Sequence, residues 1–158
     1  MKITKRTLKS LKTCKEGIEA FNRHFPDGAS SWGQLANHPN CHSDWIGWIA
    51  ARVPDLTTEE REEFRLKSDN PAHWAGSIAA YAPNLTVAER EEFRLKTDDP
   101  AYWAGSIAIY TPGLIAAERE EFRLKSDAPV YWAGRIAAYA PGLTVTEREE
   151  FRLKTADF

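Results

Sequence analysis

Apolar residues recur along this chain with two periods, one helical and one of 29 residues. Trp74, Ile78 and Ala82 follow one another at i, i+4 and i+8, which places one apolar stripe along a short helix. The tryptophan itself returns every 29 residues, as Trp45, Trp74, Trp103 and Trp132. Residues 69–97 and 98–126 are identical at 21 of 29 positions. The pattern therefore predicts tandem copies of one structural unit.

Each unit is predicted to contain two helices joined by a short turn. Asn70 stands just before Pro71, which places a capping side chain ahead of a proline at the first helical position. Pro83 ends this first helix, because proline disfavours helical geometry in the residue before it. The second helix begins at the capping box formed by Thr86 and Glu89. Connections this short force neighbouring helices to lie antiparallel.

A glycine lies inside the first helix of every unit, where it costs about 1 kcal/mol relative to alanine. These glycines are Gly47, Gly76, Gly105 and Gly134. A side chain that is missing at the same place in each unit predicts a close crossing between helices.

The second helix is predicted to be amphipathic. The residues expected to turn inward are Leu85, Phe93 and Leu95. Arg90 and Arg94 are expected to face water and to pair with Glu89 and Glu92. As an alternative, the arginines of successive units form a charged ladder that binds an acidic or mixed-charge partner.

Residues 1–37 do not repeat. Their apolar positions follow helical spacing at Leu8, Leu11, Cys14, Ile18 and Phe21. A turn is expected at residues 25–28, and a second short helix near Ser30 that contains Trp32 and Leu35. This segment would cover the open end of a stack of helix pairs.

We therefore expect an all-α protein that forms one continuous domain. An N-terminal helical cap occupies residues 1–37, and four stacked helix-turn-helix repeats occupy residues 38–158. Their approximate bounds are 38–68, 69–97, 98–126 and 127–158.

The last unit keeps the apolar residues that the internal units use. The residues concerned are Trp132, Ile136, Phe151 and Leu153. Natural arrays usually close with a polar outer face, so part of this face is expected to stay open. Either Phe158 folds back over it or a second copy covers it in a symmetric homodimer, and we favour the dimer.

Composition narrows the classes of function. The 158 residues carry a net charge of −2, which argues against a strong nucleic-acid footprint. No apolar run is long enough for a membrane span, and no secretory signal is evident. With two cysteines and no export signal, we expect a cytoplasmic protein with reduced thiols.

One short segment carries candidate metal or nucleophilic chemistry. His38, Cys41 and His42 fall within five residues, with Cys14 or His24 as additional ligands of a zinc ion. The known ligand spacings are absent, and the competing interpretation is a loop with its cysteines packed as small hydrophobes. We assign no metal ligand, no catalytic residue and no cofactor. An enzyme that depends on Cys41 and His42 is the third-ranked hypothesis.

Positions that vary between units, and columns of aromatic residues, are the candidates for partner contacts. Tyr and Trp are common anchors of binding interfaces. The candidate partner-binding residues are Trp48, His73, Ser77, Tyr81, Tyr102, Ser106, Tyr110, Tyr131, Arg135 and Tyr139. They predict a non-enzymatic module that binds another protein. The alternative is a helical array that binds nucleic acid through its arginines and tyrosines.

The N-terminal third resembles a pattern in short uncharacterised bacterial and phage proteins. The stretches that carry the resemblance are LKSLKTCKEGIEAFNRHFPDG and WGQLANHPNCHSDWIGWIAAR. The matching residues are Cys14, Gly17, Ile18, Phe21, Trp32, Cys41, Asp44, Trp45 and Trp48. The resemblance implies a phage or mobile-element origin. A partner among host nucleases or defence complexes, in an anti-CRISPR-type role, would follow from it by analogy alone.

Overall fold

A computed structural model describes residues 2–155, and all of its named elements are α-helices, with no strand in that range. The prediction of an all-α fold is confirmed. In chain order the helices are α1 (Lys5–Ser10), α2 (Lys15–His24), α3 (Trp32–Ala36), α4 (Ser43–Arg52), α5 (Thr58–Lys67), α6 (Pro71–Tyr81), α7 (Val87–Leu95), α8 (Pro100–Tyr110), α9 (Ala116–Leu124), α10 (Pro129–Tyr139) and α11 (Val145–Leu153).

The N-terminal segment contains three short helices rather than two. The apolar stripe from Leu8 to Phe21 is divided between α1 and α2, because the backbone at Lys12 turns into the left-handed region with φ 57°. The Cys14 thiol caps α2 by accepting a hydrogen bond from the Gly17 N–H at 3.4 Å. A spacing of three and four residues fits two short helices as well as one long helix. The predicted helix near Ser30 is confirmed as α3.

The remaining helices form pairs that follow the 29-residue units of the sequence. The first helices, α4, α6, α8 and α10, pack side by side in one row, and each also packs against the second helix of its own pair. Equivalent residues fill the space between the first and the second helix of each pair. They are the buried isoleucines Ile49, Ile78, Ile107 and Ile136, and the buried phenylalanines Phe64, Phe93, Phe122 and Phe151. None of the helices within residues 2–155 is long and apolar enough to cross a membrane.

The internal glycines mark the close crossings that the sequence predicts. A Cβ atom at Gly76 would overlap the indole ring of Trp103, which comes from the next unit. The same relation holds for Gly47 with Trp74 and for Gly105 with Trp132. At each of these glycines, the indole ring of the next unit's tryptophan therefore packs directly against the helix backbone.

The second helices bury a different face from the one expected. Arg90, Phe93 and Arg94 are buried, whereas Leu95 is 62% exposed. The prediction that Leu95 turns inward, and that the two arginines face water, is therefore wrong. Positions i, i+3 and i+4 share one face of a helix, whereas residues two apart, such as Phe93 and Leu95, point in nearly opposite directions.

One arginine in each second helix caps the first helix of the same pair. Arg90 donates through Nη1 to the Ala79 carbonyl and through Nη2 to the Ala82 carbonyl, both at 2.8 Å. These carbonyls lie at the helix end, where they lack helical partners and carry partial negative charge. Burial lowers the pKa of Arg90 to about 10, so its guanidinium is charged at neutral pH. We call the equivalent residues the capping arginines: Arg61, Arg90, Arg119 and Arg148.

A second arginine joins each pair to the next. Arg94 donates through Nε and Nη2 to both carboxylate oxygens of Glu91, at 2.7 and 2.6 Å, and through Nη1 to the Pro100 carbonyl at 2.9 Å. Pro100 begins the following helix pair. The equivalent residues, Arg65, Arg94 and Arg123, are the linking arginines.

The acidic partners of these arginines also differ from those expected. Arg94 pairs with Glu91 rather than Glu92, and Glu92 pairs instead with Lys96 at 2.9 Å. Glu89 accepts hydrogen bonds from Thr86 and, across units, from Thr58. Backbone carbonyls and Glu91 hold the two buried arginines, so the alternative of a solvent-facing charged ladder of Arg90 and Arg94 is wrong.

The C-terminal unit is more closed than expected. Trp132, Ile136 and Phe151 are buried, because they pack toward the preceding unit and within their own pair, whereas Leu153 is exposed. Of these four residues Leu153 is the exposed one, so the part of the face that stays open is limited to it within this set. The alternative in which Phe158 folds back lies outside the described residues. The homodimer through this unit stays a prediction.

Candidate functional site

A column of tyrosine and arginine side chains runs across all four units on the row of first helices. The Arg52 guanidinium lies 4.1 Å from the centroid of the Tyr81 ring. The rings of Tyr81 and Tyr110 are 5.5 Å apart and tilted by 37°. Arg135 then donates to the Tyr110 hydroxyl at 3.4 Å. We call this set, which ends at Tyr139, the tyrosine–arginine column.

The column stays accessible although its members contact one another. Tyr110 and Tyr139 are exposed, and Tyr81 is half-buried. Burial is the main cause that raises the pKa of Tyr81, so its hydroxyl is protonated at neutral pH. Arg135 lies 4.7 Å from the centroid of the Tyr139 ring. Cation–π contacts of this kind hold long side chains in place without removing them from solvent.

The local sequence explains why the column forms. Residues 52, 81, 110 and 139 are the last residues of α4, α6, α8 and α10. Because these helices pack side by side, their last residues fall beside one another. Arg135 stands one turn earlier on α10, where the internal units have serine, and it reaches across to the preceding unit.

A second column lies at the start of the same helices. The His73 ring packs edge-on against Trp103 at 5.7 Å, and the Tyr102 ring packs edge-on against Trp132 at 5.8 Å. Tyr131 contacts the tryptophan of its own unit at 5.2 Å and is exposed. The three rings of this column therefore pack over the indole rings of Trp103 and Trp132.

The two columns meet in one hollow between the third and fourth units. Its volume is about 230 Å³, and Tyr102, Tyr110, Tyr131 and Arg135 line it. Asp127 adds a carboxylate, whose Oδ1 accepts a hydrogen bond from Trp132 Nε1 at 3.1 Å. The hollow offers aromatic faces, one cation and one anion, which suits a mixed polar and apolar side chain of a partner.

The predicted contact residues divide into three groups. His73, Tyr81, Tyr102, Tyr110, Tyr131, Arg135 and Tyr139 lie on the two columns described above. Ser77 and Ser106 are buried, the latter to 2% exposure, which corrects their assignment to the binding face. They lie inside the row of first helices, out of reach of a partner. Trp48 is half-buried and lies apart, between α4 and the N-terminal segment.

Two accessible features were missed in the sequence. Arg52 was not among the candidate contacts, although it occupies the position of the tyrosines in the later units. The second helices expose one leucine per unit, and these are Leu66, Leu95, Leu124 and Leu153. We call them the leucine column. Each of these leucines stands two residues after a buried phenylalanine, and residues two apart point to nearly opposite sides of a helix. That spacing in the sequence predicts their exposure once the phenylalanine is placed inside.

The histidine and cysteine residues of the candidate metal segment make contacts with neighbouring rings and backbone groups. The His38 ring packs against His24 at 4.9 Å and against Phe25 at 5.0 Å. His42 accepts the Asp44 N–H at 3.4 Å as the cap of α4, and burial raises the pKa of the Cys41 thiol. Among residues 2–155, no group of three or more His, Cys, Asp or Glu side chains is placed to hold a metal ion.

No family model, curated protein or solved structure matches this chain. Its class is therefore defined by its fold and its surface alone. The chain is an all-α protein built from side-by-side helix pairs, with an aromatic and arginine-bearing face on the row of first helices.

Proposed function

We propose that this protein is a non-enzymatic binding module that recognises another protein through the tyrosine–arginine column and the adjoining hollow. The observation that carries the proposal is the continuity of the column, which extends from Arg52 in the first unit to Tyr139 in the fourth. Stacked helix pairs create extended surfaces of this kind.

The chemistry of the column supports this face over the leucine column. Tyr and Arg are enriched among residues that dominate binding energy, whereas leucine is under-represented. The column residues also restrain one another through ring and guanidinium contacts, so less side-chain entropy is lost when a partner binds. The leucines are exposed too, and they supply the natural comparison in a binding experiment.

The nucleic-acid alternative has less support from the described residues. Its arginines were expected to face solvent, but the capping and linking arginines are held by backbone carbonyls and glutamates. The net charge of −2 adds no electrostatic attraction for phosphates. Binding to single- or double-stranded probes that weakens steeply as salt rises would favour this alternative.

A host nuclease or defence complex, in an anti-CRISPR-type role, is a prediction that depends on the resemblance of the N-terminal third to bacterial and phage proteins. A cytoplasmic location belongs to the same proposal.

The test compares three purified baits in a bacterial lysate, with retained proteins quantified by mass spectrometry. The baits are the unchanged protein, a variant with Tyr110→Ala and Tyr139→Ala, and a variant with Leu95→Ala and Leu124→Ala. Helix content measured by circular dichroism must match among the three. We expect at least one protein to be retained by the first and third baits and reduced about ten-fold on the second.

Two outcomes would contradict the proposal. Equal retention by all three baits would show that the column does not contribute. A partner lost only from the leucine variant would move the binding surface to the second helices.

A further inference from the structure

The first junction of the stack lacks a ring that the later junctions have. At the later junctions, the residue before each tryptophan packs its ring edge-on against the tryptophan of the next unit, as His73 does with Trp103 and Tyr102 with Trp132. The equivalent residue of the first unit is Asp44. The position from which His73 and Tyr102 pack a ring against the next tryptophan therefore carries a carboxylate before Trp74.

A cavity of about 310 Å³ lies at this junction. Asp44 and Trp74 line it together with Trp45, Trp48, Trp32 and Phe21. Trp48 occupies the position of Ser77 and Ser106, so the first unit replaces a small buried residue with a wall of the cavity. Both departures from the repeat pattern thus fall at the same place.

The N-terminal segment supplies further walls of the cavity. Gly17 on α2 lies beside Trp45: a Cβ atom there would be 3.5 Å from the indole, an ordinary contact, and 2.8 Å from the Thr13 methyl group. Trp32 and Phe21, both buried, form the opposite wall. The cavity is therefore bounded by four indoles from three parts of the chain.

We propose that this cavity binds a compact, uncharged aromatic molecule of one or two fused rings. Its ring would take the place beside Trp74 that His73 and Tyr102 occupy at the later junctions. An apolar cavity of about 150 Å³ accepts benzene, so the volume here suits an indole-sized ligand. Lys12 and Asp44 are the charged residues of the lining among those described, and their opposite signs favour a ligand without net charge.

The site is independent of the proposed protein-binding face. The cavity involves the N-terminal segment and the first unit, and its lining shares no residue with the hollow between the third and fourth units. Failure of either proposal therefore leaves the other unaffected.

The experiment is a titration of the ¹⁵N-labelled protein with indole, followed by the tryptophan Nε1–H signals in two-dimensional NMR. The signals are assigned by single substitutions. We expect saturable shifts for Trp45, Trp48 and Trp74, with one indole bound per chain, and no comparable shifts for Trp103 or Trp132. A non-saturating response, or equal shifts at Trp103 and Trp132, would overturn the proposal.

Two variants restore the repeat's own residues at the cavity. Asp44→Tyr introduces the ring found at Tyr102 and Tyr131, and it should weaken indole binding about ten-fold or more because the ring competes for the same place. Trp48→Ser removes a wall and should also weaken binding, and it decides the matter if the first variant fails to fold. Tyr131→Asp, the reverse change in the last unit, is the control that should leave the affinity unchanged. Unchanged binding in both cavity variants would refute the site.

A matched pair of small probes tests the aromatic requirement. Phenol and cyclohexanol share a hydroxyl and a six-membered ring, but only phenol has an aromatic face. Phenol should bind several-fold more tightly than cyclohexanol, since ring–ring contacts add to area burial. Equal affinities would show a general apolar cavity and would refute the aromatic specificity.

Discussion

Exchanging glycine for alanine at the same helical position should have opposite effects in two units of this protein. Gly76 and Gly134 are equivalent residues of α6 and α10. In an unconstrained helix the change to alanine stabilises by up to about 1 kcal/mol. The local structure decides whether that gain is realised.

At Gly76 the new methyl group would overlap the Trp103 indole, so α6 and α8 must separate or the indole must leave its seat. Overpacking typically costs about 1–3 kcal/mol. The ring is rigid and is covered by His73 and Tyr102, so we take the upper end, about 3 kcal/mol. After subtraction of the propensity gain, Gly76→Ala should destabilise by about 2 kcal/mol.

At Gly134 the new methyl group would meet, among the described residues, only the Thr155 methyl carbon at 3.4 Å. That distance is an ordinary van der Waals contact. Gly134→Ala should therefore stabilise the protein by about 0.5–1 kcal/mol.

Urea unfolding of both variants, followed by circular dichroism at 222 nm, measures the difference. The midpoint of Gly76→Ala should fall and that of Gly134→Ala should rise, at similar m-values. Tryptophan fluorescence recorded in parallel shows whether the units unfold together. Shifts in the same direction for both variants would refute the seating of each indole on the preceding glycine as the cause.

Three further predictions concern the polar scaffold. Arg90→Met should lower the free energy of unfolding by about 2–5 kcal/mol in the same urea assay, because two helix-end carbonyls lose their donor; a loss well below 1 kcal/mol would contradict the capping role. Arg94→Ala should destabilise the protein by about 1–3 kcal/mol. Arg152 is the exposed equivalent, which contacts a glutamate but no linking carbonyl among the described residues, so Arg152→Ala should change the urea midpoint little. Similar losses in both variants would argue against the hydrogen bond from Arg94 to the Pro100 carbonyl as the cause. The hydrogen bond from Arg94 is the main cause that lowers the pKa of Glu91 in the fold, so its contribution is present above the unfolded value and is lost as pH falls through the folded value. The urea midpoint should therefore drop as pH falls below about 4.5, and Glu91→Gln should make that drop shallower.

The periodicity of the sequence was sufficient to predict the helices of the units and the close crossings at their glycines. The caps and prolines mark helix ends through local backbone chemistry, which a sequence displays directly. The glycines could be interpreted because a residue that is costly in a helix requires a steric reason.

The sequence did not reveal which face of the second helix is buried. Charged residues usually face water, so the sequence alone predicts Arg90 and Arg94 outward and Leu95 inward. In the structure the arginines are buried because backbone carbonyls of other helices accept their hydrogen bonds. Those acceptors are contributed by every residue type, so no letter in the sequence marks them.

Only part of the candidate site could be predicted from the sequence. Its aromatic residues repeat visibly, and most of them lie on the two columns. Ser77 and Ser106 are equally periodic but buried, because their periodicity reflects helix packing rather than contact with a partner. The cavity at the first junction depends on what is missing at Asp44, and only the three-dimensional neighbours of Trp74 reveal that.

The capping arginines have a consequence for how this protein can evolve. They donate to main-chain oxygens, so the contact does not depend on which side chains stand at the contacted positions. In the third unit, for example, Thr111 stands where other units have alanine or valine, and its carbonyl still accepts from Arg119 at 3.0 Å. Substitutions on the first helices can therefore accumulate without loosening the joint between the two helices of a pair. At these joints, therefore, selection on the contacted side chains is separate from selection on the joint itself.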